Sequence, residues 1–324
     1  MTLRIEKIAF VAALALAFAA PAAAQEFPTQ PIRILVGFAP GGIADVLART
    51  VGEKLSQTWK QPVIVENRTG AGGNIAIQAV AKAAPDGYTL VLIPNGNATV
   101  SPSLFPDLPY DPVKDFAPIS NLASVENVLV VSAKSPIKSL QELIAFGRDA
   151  KNNVTYATPA VGSMAHLSAE LLARAGGFKA SNVGYRGTAP ALTDVMRGEV
   201  TMMVGQLLSV KPLIESGELR ALGIASRTRS AALPDVPTIA ETFPGFEAIS
   251  WYALMAPAGT PPAIIEKLYG AVAQGMKQPD AVAALEKQGA TPVASSPGEL
   301  AALITADIAR WRTVIVDANI KPAP

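Results

Sequence analysis

The chain has 324 residues, half of them apolar, with 27 bases against 26 acids, one histidine and no cysteine. That balance leaves no electrostatic footprint for nucleic acid. It also excludes disulfides, thiolate metal sites, a cysteine nucleophile and metal sites built from several histidines.

The chain opens on an export signal. Arg4 and Lys7 form a basic start, and IAFVAALALAFAA (8–20) is an apolar run shorter than the roughly 20 residues a membrane span needs. Ala22-Ala23-Ala24 then supplies a small-residue cleavage pattern. The expected cut after Ala24 leaves about 300 residues, enough for well-buried cores. With no cysteine after the signal, a thioether-linked lipid anchor is excluded.

Short apolar runs then alternate with helical patterns. Strands are predicted at IRILVGF (32–38), PVIVEN (62–67), YTLVLIP (88–94), ENVLVVSA (126–133), NVTYATP (153–159), NVGY (182–185), VTMMVG (200–205), LRALGIAS (219–226) and ISWYALMAP (249–257). Most are continuously apolar, as strands covered on both faces must be. Helices are predicted for ADVLARTVGEKLSQ, for SLQELIAFGRD with Ser139 and Glu142 at capping-box spacing, for SMAHLSAELLARAG, TAPALTDVMRGE and LLSVKPLIESG, and for three segments after residue 260. Repeated βα units with short loops mean mostly parallel sheets flanked by helices. There are too many strands for one comfortable sheet. A break is expected in the proline-rich stretch 95–121, and a second proline-rich passage at 232–246 marks the return. The expected division is a first lobe of 25–123 and 249–324 with a second lobe, 124–248, inserted into it.

In such sheets ligands sit beyond the carboxyl ends of strands, where helices begin with unpartnered N–H groups. Pro40-Gly41-Gly42 lies where a strand becomes a helix, and reads equally as an anion cradle or as a tight turn. Gly162-Ser163, Gly187-Thr188 and Asn95-Gly96-Asn97 have the same form. Four glycine-bearing strand exits, two in each lobe, favour a shared binding cleft. GAGGN (70–74) lacks the last glycine of a dinucleotide fingerprint and reads as a turn after ENR, not as a strand-to-helix junction. Asp45 suits the positive end of its helix. Ser163 and His166, three apart, share a helix face and raise the alternative of a hydrolase with Asp194 as third member. The better reading makes Ser163 a helix cap and His166 a local packing residue. Trp251 and Tyr252 read as core, with a cleft-wall role as the alternative.

GFAPGGIADVLAR, VIVENRTGAGGN, AKAAPDGYTLVL, YATPAVGSMAHLSAELL, YRGTAPALTDVMRGEV, RSAALPDVPTIAE and SWYALMAPAGTP, in this order, resemble the substrate-binding proteins of tripartite tricarboxylate transporters, the Bug family of periplasmic receptors. The resemblance implies a two-lobed, type II periplasmic binding fold, a location in the periplasm, no cofactor and no catalysis. It also implies a monomer that holds a small carboxylate between its lobes and delivers it to a membrane permease, or alternatively to a sensor. By motif it implies ligand contacts at Phe38, Pro40, Gly41, Gly42 and Asp45, at Pro159, Val161, Gly162, Ser163 and His166, and at Tyr185, Arg186, Gly187 and Thr188; Asn95 and Asn97, expected as amide donors from their own loop, stand where relatives often place a His or Thr. Where relatives commonly carry an acid after the VTMMVG strand, this chain has Gln206, which argues against an amino-acid ligand.

Overall fold

A computed structural model describes residues 27–321, positions 160, 186 and 288 excepted. The export signal, its cleavage site and Arg186 lie outside the described residues. β1 (Ile32–Val36) pairs in parallel with β2 (Val63–Asn67) on one side and β3 (Thr89–Pro94) on the other. α1 (Ile43–Trp59) joins β1 to β2, and α2 (Asn74–Ala81) joins β2 to β3. Ile32, Ile34 and Val36 pack with Leu47, Val51 and Leu55 of α1. Leu35, pointing the other way, packs with Ile77 and Val80 of α2. Helices on both faces are why β1 is apolar from Ile34 to Val36 instead of alternating; Arg33, near its start, is half-buried and pairs with Glu66 of β2 at 2.7 Å.

The other half of this sheet is antiparallel. β4 (Phe116–Val125), β10 (Ser250–Pro257) and β11 (Ala290–Pro292) complete the order β11-β4-β10-β3-β1-β2. The second lobe contains β5 (Asn127–Ser132), antiparallel to both β8 (Met203–Gln206) and β9 (Leu219–Ile224), and β6 (Val154–Thr158), parallel to β7 (Ala180–Gly184). A parallel bridge between Tyr156 and Met202 joins the two groups of strands. α4 (Leu140–Arg148), α5 (Met164–Gly176), α6 (Thr188–Arg197) and α7 (Leu207–Glu215) pack around them.

Two strands carry the chain between the sheets: β4 runs into β5 through Glu126, and the chain after β9 returns into β10 through Ala248 and Ile249. α8 (Pro262–Gly275) and α9 (Pro279–Glu286) then cover the first sheet. The last helix, α10 (Pro297–Asp317), is a third tie. Its Leu300 and Ile304 belong to the first lobe's core, whereas Trp311, Val314 and Ile315 sit in a cluster that joins Val100 and Leu104 of the first lobe to the core of the second.

Four expectations change. The stretch 95–121 is not an irregular break. It holds a π-type turn (Gly96–Val100), a short helix α3 (Ser101–Leu104) and most of β4. Pro118, which argued against a strand, sits beside a register shift between Leu254 and Met255 of β10, where a missing N–H is tolerated. GAGGN is a strand-to-helix junction after all: β2 ends at Asn67, a 3₁₀ turn spans Ala71–Gly73, and α2 follows at once. The sheets are more mixed than parallel βα repeats imply, because the crossing strands β4 and β10 enter antiparallel. The segment 249–324 expected in the first lobe ends in a helix whose far end packs in a cluster shared with the second lobe.

Candidate functional site

α5 begins where β6 ends. Ser163 Oγ accepts the His166 backbone N–H at 3.4 Å and caps the helix. Gly162 turns the chain at φ 77° and donates its N–H to His166 Nδ1 at 3.2 Å. The imidazole is 5% exposed, and burial pushes its pKa down to about 4. It is therefore neutral near pH 7, with its proton on Nε2. His166 braces the loop through its ring and leaves the Ser163 hydroxyl free to donate. A nucleophile's base would instead need a ring nitrogen on that hydroxyl.

The neighbouring loop is pinned to the same strand end. The Tyr185 N–H donates to the Thr158 carbonyl at 2.8 Å, and the Gly187 N–H to the Pro159 carbonyl at 3.1 Å. The Tyr185 hydroxyl donates to Asp194 Oδ2 at 2.8 Å. Burial first, and the Asp194 and Glu199 carboxylates second, push that phenol up to about 12. Thr188 then opens α6 with no side chain capping it. At α7 the Gln206 side chain also leaves the helix uncapped, its Nε2 donating to the Tyr252 hydroxyl at 3.2 Å. The Leu207 N–H is taken by the Glu126 carbonyl, so the amides beyond it are the open ones.

These three helix starts converge. A cavity of about 170 Å³ is lined by Ser163, Met164 and Ala165 of α5, by Thr188 of α6, and by Gln206 and Ser209 at α7. Asn127 and Ser250, on the two crossing strands, complete the polar lining, with Pro159, Met203, Val204 and Gly205 between them. Every described lining residue is uncharged. Each helix start carries roughly half a positive charge, so their sum favours an anion. The volume is below the roughly 300–1,000 Å³ of drug-sized sites, and suits a small molecule. A larger groove of about 630 Å³ lies between residues 102–115 and Ile308. It is walled by prolines, and its acids Asp111 and Asp115 are already bonded to amides of their own turn, so it offers no converging donors.

Among the expected ligand residues, Pro159, Ser163, Thr188 and Gln206 meet at this cavity. Val161 packs against the second lobe's core. The first-lobe residues do not border it. Pro40, Gly41 and Gly42 are exposed, and Gly42 caps α1 with no side chain assisting. The Gly41 N–H is already spent on Asp45 Oδ2 at 3.0 Å. Asp45 is 4% exposed and also accepts from Arg49 Nε and Asn67 Nδ2, each at 3.0 Å. Burial would raise its pKa, but these three donors outweigh it and hold the carboxyl below its usual range. The Phe38 carbonyl accepts from Asn67 Nδ2 at 3.0 Å, and its ring would lie 3.1 Å from a Cβ at Gly73, a tight contact. Asn95 Nδ2 donates to the Ile249 carbonyl at 3.2 Å, and Asn97 Nδ2 to the Gly72 carbonyl at 3.0 Å. These side chains hold the loops of the first lobe in place.

Sequence reasoning missed Asn127, Ser250 and Ser209. The first two were visible as polar residues at the starts of the apolar runs ENVLVVSA and ISWYALMAP. Ser209, inside a helix, carried no such signal.

A family model described as the tripartite tricarboxylate transporter family receptor matches residues 47–320. BugT of Bordetella pertussis is 40% identical over 94% of each chain. A protein of R. palustris solved with adipate is 36% identical, with a TM-score of 0.79 over 92% of this chain and 100% of that one. MatC from Rhodopseudomonas palustris, solved with bound malate, is 36% identical, with a TM-score of 0.74 over 89% of this chain and 100% of that one. In sequence and in fold alike, the chain belongs to the tripartite tricarboxylate transporter family of receptors, the periplasmic binding proteins that include the Bug proteins.

Proposed function

We propose that this protein is a periplasmic receptor that closes around a small organic carboxylate in the cavity at the starts of α5, α6 and α7, and delivers it as a monomer to a tripartite tricarboxylate-type membrane permease. The observation that carries the reading is the convergence of three helix N-termini on one small cavity with no charged side chain among its described lining residues. Amide donors held by the fold cost no reorganisation when the anion arrives, and each charge-assisted hydrogen bond contributes about 1.5–3 kcal/mol. The similar proteins solved with adipate and malate support a carboxylate ligand.

In this reading Phe38, Pro40, Gly42 and the first amides of α1 supply the opposing wall when the lobes meet. The chain forks at Val125–Asn127 and Ala248–Ser250, and these forks act as the hinge. Binding involves no covalent step, consistent with His166 holding the Gly162 amide instead of the Ser163 hydroxyl. The signal is removed after Ala24.

A thermal-shift panel of aliphatic di- and tricarboxylates and aromatic acids on the mature chain tests this. A ligand at 100 times its Kd adds about 2.7 kcal/mol. For a chain of this size that raises Tm by several degrees, at about 2–4 °C per kcal/mol. Failure of every acid to stabilise the protein contradicts the reading.

A further inference from the structure

The two strands that join the lobes part company at the cavity. Their ladder ends at the pair Val125 and Ser250, after which one strand enters the second sheet and the other comes from it. Two residues beyond Val125, the side chain of Asn127 bridges the fork. Its Nδ2 donates to the Ala248 carbonyl at 2.6 Å and to Ser250 Oγ at 3.2 Å. Ser250 Oγ lies 3.4 Å from Asn127 Oδ1, a poor acceptor distance for its own hydrogen. Asn127 is 1% exposed and Ser250 2%, yet both line the cavity. A buried hydroxyl that accepts one good hydrogen bond and donates a weak one is poised to donate elsewhere.

We propose that Ser250, positioned by Asn127, is a specificity-determining ligand contact: its hydroxyl donates, from the crossing-strand side of the cavity, to a second acceptor oxygen of the ligand, other than the carboxylate that Ser163 holds. This rests on the carboxylate reading above. The ligand it selects carries a carboxylate at one end and a second oxygen acceptor, a carboxylate or a carboxamide, at the other. Because a neutral hydroxyl does the reading, the second group need not be charged. The same bond ties the ligand to both crossing strands, so a ligand with the acceptor steadies the fork and one without it does not.

The test uses two matched series in which only the far end changes: succinate, succinamate and butyrate, and glutarate, glutaramate and valerate. Calorimetry on the wild-type mature chain is expected to favour the diacid and the half-amide over the methyl-ended acid by about tenfold or more in the series of fitting length, the weight of one hydrogen bond to a buried polar group. Ser250→Ala is expected to remove most of that preference while leaving the affinity for the methyl-ended acid within about twofold. Asn127→Asp, which keeps an acceptor for Ser250 but places a negative charge beside it, is expected to lower affinity for the diacid more than for the half-amide. Ser250→Ala with an unchanged preference ratio overturns the proposal and leaves the carboxylate reading standing. A uniform loss across all three ligands also overturns it, since that marks a structural role. Wild-type protein that binds none of the six acids nor any other carboxylate overturns the carboxylate reading and this proposal with it.

Discussion

His166 is the most informative single residue. Its pKa near 4 in the fold, against an ordinary value of 6.5, means that the unfolded chain binds a proton that the folded chain refuses. Its stabilising contribution is therefore fully present above about pH 6.5 and is lost as pH falls toward about 4. The shift corresponds to something on the order of 3 kcal/mol. Half-buried Glu170 and buried Asp307 titrate with the opposite sense, because desolvation raises both carboxyls, so the slope belongs to His166 only in a difference. His166→Gln retains an acceptor for the Gly162 amide and removes the titration. Urea unfolding at steps between pH 7 and pH 4 should show a steeper loss of stability in the wild type than in the variant. Parallel curves would mean that the ring is hydrated. Ser163→Ala separates cap from contact: loss of the cap should cost about 1 kcal/mol, while carboxylate affinity falls by a further factor of about ten from the lost hydroxyl donor.

At the scale of elements, two close approaches hold the site's loops. Gly37 at the exit of β1 lies against the backbone of Gly73, so that a Cβ there would come within 2.5 Å of the Gly73 Cα. Gly162 combines φ 77° with a position where a Cβ would lie 2.5 Å from Leu104 Cδ2, an atom of the first lobe's α3 segment. The α5 loop is thus seated on the other lobe, and Gly162→Ala should cost about 1–3 kcal/mol in urea unfolding through backbone strain and contact. It should also weaken ligand binding. A neutral Gly162→Ala would show that the seat yields freely. These approaches explain what was and was not legible in the sequence. The strand-to-helix glycines at 41, 162 and 187 announced themselves because φ near or above 77° demands glycine. GAGGN was misread because its meaning lies in a contact with Phe38 and Gly37, more than thirty residues earlier in the chain. β4 was hidden for a similar reason: Pro118 is acceptable only because β10 shifts register opposite it.

For the whole molecule, the tie made by α10 sets how freely the lobes move. Trp251 on β10 donates its Nε1 to Asp307 Oδ2 at 2.8 Å, midway between the part of α10 in the first core and the part in the second. Asp307→Ala leaves that indole N–H buried without its acceptor, at a cost of about 1–3 kcal/mol, whereas Asp307→Asn should retain most of the stability; comparing the two by urea unfolding checks this. The βα periodicity of the sequence disclosed two α/β lobes, but it did not disclose that the last helix belongs to both. An amphipathic pattern shows which face of a helix is buried, not which body buries it.

The account's central claim is that pre-set amides at the starts of α5, α6 and α7 hold a carboxylate between hinged lobes. A crystal structure of the mature chain with a tight-binding dicarboxylate tests it most directly. The account predicts closed lobes, one carboxylate within hydrogen-bond distance of Ser163 and of amides that open at least two of these helices, and the Gly41–Asp45 bond intact. A ligand seated in the proline-walled groove by Ile308, or one bound in the cleft with those amides turned away, would contradict it.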